Sequence, residues 1–148
     1  MGKLQALIRL DVRTLLLFTE AYLMLAAAKL QLYRPFAKVA GTLGYKRQET
    51  HKEIPLEHIR TIKHITSAIA IMSRYTPWDS QCLVRAIAGM RMLKRRRIPG
   101  TLYLGTAKDD DGNLIAHAWL RSGPLYISGA DVMKDFTVVE SFASASGE

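Results

Sequence analysis

Residues 78–86 read WDSQCLVRA and contain Cys82, the single cysteine of this 148-residue chain. Pro77 lies just before this stretch and prevents a helix from running into it from upstream. Asp79 and Ser80 are residue types that commonly cap helix N-termini. The stretch therefore predicts the start of a helix, with Cys82 in its first turn.

The predicted position of Cys82 favours thiol chemistry. A thiol reacts as the thiolate, and the unpaired N–H groups and dipole of a helix N-terminus stabilise an anion. Residues 116–120 read AHAWL, a strand-like run that places His117 35 residues after Cys82. An imidazole beside the thiol would form a thiolate–imidazolium pair and later protonate a leaving amine. The alternative is a buried, apolar cysteine without chemistry, which is common for a lone cysteine.

Length and composition indicate one α+β domain over residues 1–148, mainly helical in 1–97 and mainly β in 98–148. Apolar residues make up 49% of the chain, which argues against disorder. One cysteine cannot form an internal disulfide, so we expect a cytoplasmic protein. We expect no cofactor and no metal site, because ligand-like spacing is missing among the other histidines, His51, His58 and His64.

The net charge of +8 is unevenly distributed. Residues 1–97 contain 18 Lys and Arg against 6 Asp and Glu, whereas residues 98–148 contain 3 against 7. A basic half can attract nucleic acid, anionic lipid or an acidic peptide. The alternative function is therefore a basic helical module that binds nucleic acid or protein, with a structural cysteine. No stacking aromatics or nucleic-acid motif accompany the basic residues, so we expect no nucleic-acid partner. The basic run 94–97 suits a solvated helix C-terminus.

The apolar stretch at residues 14–28 superficially resembles a signal peptide. Glu20 lies in the middle of it, and the stretch is short for a membrane span of about 20 residues. We therefore expect a core helix over residues 3–33 and no stable membrane insertion. The residues that recur along it at helical spacing are Leu4, Ile8, Val12, Leu15, Leu16, Thr19, Leu23 and Ala26.

The remaining pattern predicts two further helices and then an antiparallel sheet. The helices cover about 55–75 and 80–96, and the polar segment 41–53 reads as a linker or mobile loop. Strands are expected at 101–106, 114–121, 125–128 and 136–139. Turns are expected at 109–113, which contains Asp-Gly, and at 122–123. Cys82 would thus lie on the third of three helices and His117 on the second strand.

Three segments carry a family resemblance: CLVRA at 82–86, LKRRRIP at 93–99 and AHAWL at 116–120. The chain resembles the stand-alone leader peptidases of lasso-peptide biosynthesis. These are the split form of that pathway's B protein and belong to the transglutaminase-like cysteine protease superfamily. The resemblance implies a papain/transglutaminase-like fold and a cysteine peptidase that removes the leader from a ribosomally synthesised precursor. It implies three partners: the leader region, a small leader-recognition protein and the lasso cyclase. A transglutaminase would pass through the same thioester, so the sequence alone leaves that reaction open.

The family uses an aspartate on the strand after the histidine to orient the imidazole. If residues 122–123 form a two-residue turn, Ser128 lies opposite His117, and that position has no carboxylate. The nearest acid is Asp131, which we predict as the third catalytic residue. A solvated turn aspartate, with Ser128 or a backbone carbonyl orienting the ring, is the alternative.

An oxyanion hole needs donors aimed at the developing negative charge. The backbone N–H of Cys82 is well placed, and Gln81 is the predicted side-chain donor, with a capping or exposed role as its alternative. Trp119 alternates to the same strand face as His117, where it either walls the site or belongs to the core.

Overall fold

A computed structural model describes residues 11–144, which form four α-helices followed mainly by a five-stranded antiparallel sheet. The helices are α1 (Val12–Gln31), α2 (Phe36–Leu43), α3 (Leu56–Met72) and α4 (Cys82–Arg95). The strands are β1 (Tyr45–Lys46), β2 (Thr101–Lys108), β3 (Leu114–Ser122), β4 (Leu125–Ser128) and β5 (Thr137–Ala143), and a 3-10 helix covers Ala130–Asp135. They are ordered β1-β5-β2-β3-β4 in the sheet. The predicted α+β class, with helices followed by a small antiparallel sheet, is confirmed.

Helix α1 begins after Asp11, whose side chain accepts a hydrogen bond from the Thr14 amide at 2.8 Å. The predicted start at residue 3 lies outside the described residues. The residues predicted to recur at helical spacing do not mark the buried face where they are described, because Val12, Leu16 and Leu23 are exposed. The residues that α1 buries are Ala21, Leu25 and Ala28. Two of the three are small, which permits close packing on the neighbouring helices. Within residues 11–144, no helix is long and apolar enough to cross a membrane.

The segment predicted as a linker contains regular structure. Helix α2 ends at Leu43 and buries Val39, Ala40 and Leu43 on one side. Strand β1 follows and pairs with the end of β5. Gly44 lies between them with φ of 128°, and a Cβ there would come 2.2 Å from the carbonyl oxygen of Ala143. Cys82 consequently lies on the fourth helix of the described chain.

The basic run at the end of α4 makes internal contacts. Arg95 and Arg96 both form ion pairs with Glu20 of α1, at 2.7 and 2.5 Å. The ammonium group of Lys94 donates to the carbonyl of Thr42 at 2.8 Å. The run therefore ties α4 to α1 and α2, although the Arg95 side chain is 59% exposed. Burial raises the pKa of Glu20, but the hydrogen bond and charge of Arg96, with the charge of Arg95, hold it below its ordinary value.

We expect Glu20→Gln to destabilise the fold at pH 7 by about 1 kcal/mol. Because the pKa of Glu20 is lowered in the folded protein, its stabilisation is present above pH 4.5 and is lost as the pH falls further. Urea unfolding of both proteins between pH 7 and pH 3 checks this. The difference in the free energy of unfolding between the two proteins should shrink as the pH falls. A difference that does not change with pH would show that the Glu20 carboxylate does not stabilise the fold through its ion pairs.

Helices α1, α3 and α4 pack against one another, and α3 and α4 pack on the sheet. The closest approach is at Gly89 of α4, where a Cβ would come 2.7 Å from Leu120 and 3.3 Å from Ile127. Leu120 and its neighbour on the same face, Ala118, are buried in this core. The alternate residues of β3 lie on the outer face of the sheet, away from the helices.

The β3–β4 hairpin differs from the prediction in register. Ser122 pairs with Leu125, so the turn residues are 123–124 rather than 122–123. A register shift then places Ser128 opposite Leu120, not opposite His117. Gly123, with φ of 56°, takes the first turn position, where glycine is favoured.

Candidate active site

Cys82 is the first residue of α4, as predicted, and it is partly buried against the core. The predicted caps are wrong. Asp79 accepts a hydrogen bond from the Gln81 amide at 2.5 Å, and Ser80 shares one with Thr76 at 2.8 Å. The N-cap position is occupied by Gln81, whose side chain does not cap the helix.

The N-terminus of α4 therefore keeps its first N–H groups free of a side-chain cap. These donors and the helix dipole favour an anion at Cys82, whether a thiolate or a developing oxyanion. The Gln81 side-chain amide is exposed and bound to Asp79. A role for Gln81 in the oxyanion hole stays a prediction.

His117 is partly buried on β3, where it pairs with Gly105 of β2. Its Nε2 lies 2.9 Å from the carbonyl oxygen of Gly129. A carbonyl only accepts, so Nε2 carries the proton of this hydrogen bond, and Nδ1 is the nitrogen left for proton transfer. The ring also packs against Trp119 and Phe136, with centroids 5.9 and 5.1 Å away. These contacts fix both the tautomer and the plane of the imidazole.

Gly129 holds this carbonyl in a conformation that suits glycine. Its φ is 76°, in the left-handed region. A Cβ at this position would come 2.5 Å from the carbonyl oxygen of Ala118, 2.9 Å from Trp119 Cβ and 3.0 Å from His117 Nε2. The chain can therefore cross β3 closely enough to reach the imidazole only because residue 129 has no side chain.

The other predicted partners of the imidazole lie elsewhere. Asp131 is exposed in the 3-10 helix and makes no hydrogen bond to His117 within residues 11–144. Ser128 Oγ is buried and has no hydrogen-bond partner in this part of the chain. In the structure, a backbone carbonyl, that of Gly129, is the hydrogen-bond partner of the imidazole. A catalytic role for Asp131 stays a prediction.

By helix and strand rise, Cys82 and His117 lie at about the same level along β3, but on different faces of the sheet. Cys82 packs against the core between the helices and the sheet, whereas the His117 ring packs with Trp119 on the outer face. Helix α4 ends next to the start of β2, which is antiparallel to β3, so α4 runs in the same direction as β3. From the contact between Gly89 and Leu120, seven helical residues lead back to Cys82, about 10 Å. Three strand residues lead back to His117, also about 10 Å. No hydrogen bond joins the two side chains within the described residues.

A family model described as the transglutaminase-like superfamily matches residues 23–141. The chain belongs to this superfamily. No curated protein and no solved structure gives a match. Transglutaminase-like proteins generally act as cysteine proteases or transglutaminases, and the matched range contains both Cys82 and His117.

Two residues that contact His117 are not identified by the sequence analysis. Gly129 was visible only as a glycine after a strand, and its contact with His117 depends on the hairpin register. Phe136, predicted to begin a strand, lies just before β5 and packs on the imidazole. The described residues contain no group of three or more acidic, histidine or cysteine side chains that could hold a metal ion.

Proposed function

We propose that this protein is a cysteine peptidase that removes the leader from a lasso-peptide precursor. One observation carries the proposal: the superfamily match includes both Cys82, at an uncapped helix N-terminus, and His117, whose tautomer is fixed with Nδ1 available. The motifs at 82–86, 93–99 and 116–120 support the narrower assignment to lasso-peptide leader removal.

In the proposed reaction, the Cys82 thiolate attacks the scissile carbonyl and forms a tetrahedral intermediate. The first N–H groups of α4 stabilise its oxyanion. The His117 imidazolium then gives a proton to the leaving amine as the C–N bond breaks, which leaves a thioester on Cys82. Water, deprotonated by the imidazole, attacks this thioester. The products are the leader carboxylate and the free thiol, with His117 again able to take the thiol proton.

The proposal includes three partners: the leader region, a small protein that recognises it, and the cyclase that consumes the released core. The basic-module alternative is less favoured, because three of the four cations in the run 94–97 make contacts within the chain. These are Lys94, Arg95 and Arg96.

Mass spectrometry of a precursor peptide incubated with the protein tests the proposal, with and without the recognition protein. We expect a single cut that separates leader from core, with water added to the leader carboxylate. An excess of a primary amine should leave this product unchanged. Its incorporation into the leader or into a glutamine would indicate transferase chemistry instead, and an intact precursor with the partner present would contradict the proposal.

A further inference from the structure

A cavity of about 370 Å³ lies on the outer face of the sheet. It is bounded by strands β2 to β5, the segment after β1 and the 3-10 helix, and its lining combines aromatic rings with three cations and one acid. The lining residues that matter here are Tyr103, Trp119, Phe136, Arg121, Lys52 and Lys134. An apolar wall with converging charges is typical of a binding site for a small charged group.

Arg121 supplies a fixed positive charge at this cavity. Arg121 is only 2% exposed, and within residues 11–144 no carboxylate lies within ion-pair distance of its guanidinium. Glu49 is linked to the guanidinium only through the Tyr103 hydroxyl, so no carboxylate pairs with Arg121 directly. Buried charges are ordinarily paired, and the charge of Arg121 can therefore attract an external anion. Its guanidinium is held by four uncharged acceptors: Tyr103 Oη, the Gly123 carbonyl, the Thr50 carbonyl and Thr101 Oγ1.

The other charges around the cavity do not cancel that of Arg121. The acid in the lining, Glu49, accepts the hydroxyl proton of Tyr103. Burial, together with this hydrogen bond, raises the pKa of Tyr103, so the hydroxyl stays neutral. Lys52 and Lys134 are exposed at the rim and form no ion pair within the described chain. Three cations therefore face one carboxylate.

The cavity adjoins the imidazole. Trp119 and Phe136 form part of its wall, and both rings pack against His117. Trp119 also stacks on Tyr103, with centroids 5.6 Å apart. In the proposed reaction the imidazole protonates the leaving amine, so the peptide beyond the scissile bond lies on the His117 side.

We propose that this cavity binds a carboxylate carried by the part of the substrate that follows the scissile bond. Its place in the substrate rests on the proposed function, whereas its preference for a carboxylate rests on the charges and rings alone. An acidic side chain and a chain-terminal carboxylate present the same chemistry. In either case Lys52 and Lys134 contact the anion, Arg121 adds a fixed field, and the aromatic wall covers the apolar part of the ligand.

A binding experiment tests the carboxylate preference without catalysis, using Cys82→Ala protein. The indole N–H signal of Trp119 is followed by NMR and assigned with Trp78→Phe. The probes are N-acetylphenylalanine, with a terminal carboxylate, N-acetylglutamic acid α-amide, with a side-chain carboxylate, and uncharged N-acetylphenylalaninamide. We expect a saturable shift with at least one carboxylate probe, and the stronger binder identifies the source. Equal binding of the uncharged amide, or no saturable shift with either acid, would overturn the inference.

Lysine variants supply the matched control. Replacing Lys52 and Lys134 by Gln should weaken carboxylate binding about tenfold, because two exposed cations are removed from the rim. Replacing Lys38 and Lys63, which are exposed on α2 and α3 and do not line the cavity, should leave affinity unchanged. An unchanged affinity for the carboxylate probe when Lys52 and Lys134 are replaced would also overturn the inference.

Cleavage of substituted precursors then tests whether the bound carboxylate belongs to the part of the substrate after the scissile bond. Acid-to-amide changes after the scissile bond should raise KM, and the same changes in the leader should leave KM unchanged in the absence of the recognition protein. A higher KM for the leader changes, with an unchanged KM for the changes after the scissile bond, would show that the carboxylate does not come from that part of the substrate. If no precursor is cleaved but the carboxylate probes bind, the proposed function fails while the anion site stands.

Discussion

Cys82→Ala is expected to abolish precursor cleavage, and His117→Ala is expected to lower kcat/KM by about 10²–10⁴-fold. The first change removes the only group in the site that can form the thioester. The second leaves the thiol but removes the acid that protonates the leaving amine. Initial rates measured by mass spectrometry, with saturating recognition protein, give both values. Cleavage that persists in Cys82→Ala would overturn the assignment of the nucleophile.

Asp131→Ala is the informative companion variant. Because the imidazole is oriented by the Gly129 carbonyl and Asp131 is exposed, we expect less than a twofold change in kcat/KM. A loss comparable to that of His117→Ala would instead assign the orienting role to Asp131. The pair of variants thus decides between a carboxylate and a carbonyl as the third group of the site.

The fold class was predictable because its signals are local. Pro77 and the polar residues after it end one helix and begin the next, and the Asp-Gly turn at 109–113 joins two β-prone segments. The buried face of α1 was not predictable in the same way, because apolar residues surround this helix on most sides. Close packing then favours the small side chains Ala21 and Ala28, and larger ones such as Leu23 remain outside.

The candidate site depends more on register than on composition. The proposed nucleophile and base can be picked out from the sequence, since each lies in a distinctive local motif. The orienting group is not, because two departures from the predicted pairing move Ser128. The turn lies one residue later than predicted, and a register shift between Leu120 and Arg121 then places Ser128 opposite Leu120 instead of His117. Pairing irregularities of this kind have no reliable sequence signal. Arg121 is similar, since its acceptors include Thr50, 71 positions away in the chain.

Gly129→Ala is expected to damage both stability and activity, and Gly112→Ala is its matched control. Both glycines have left-handed φ, 76° and 82°, so both substitutions carry the same conformational cost of roughly 1–2 kcal/mol. A Cβ at residue 112 meets nothing within 4 Å, whereas one at residue 129 meets the Ala118 carbonyl oxygen at 2.5 Å. Backbone on both sides cannot give way cheaply, so Gly129→Ala should lose more stability than the control in urea unfolding.

To relieve the close contact with the Ala118 carbonyl oxygen, the backbone of residue 129 must move away from β3. This movement should separate the carbonyl of residue 129 from the imidazole. A shift of about 1 Å in a catalytic group can cost about 10²-fold in rate, so folded Gly129→Ala should lose about that factor in kcat/KM. Gly112→Ala, in the turn between β2 and β3, should retain wild-type activity. Equal stability and equal activity in the two variants would show that the carbonyl of residue 129 does not position His117. A selective loss in Gly129→Ala would show that the bare backbone at this crossing, rather than an acidic side chain, holds the base.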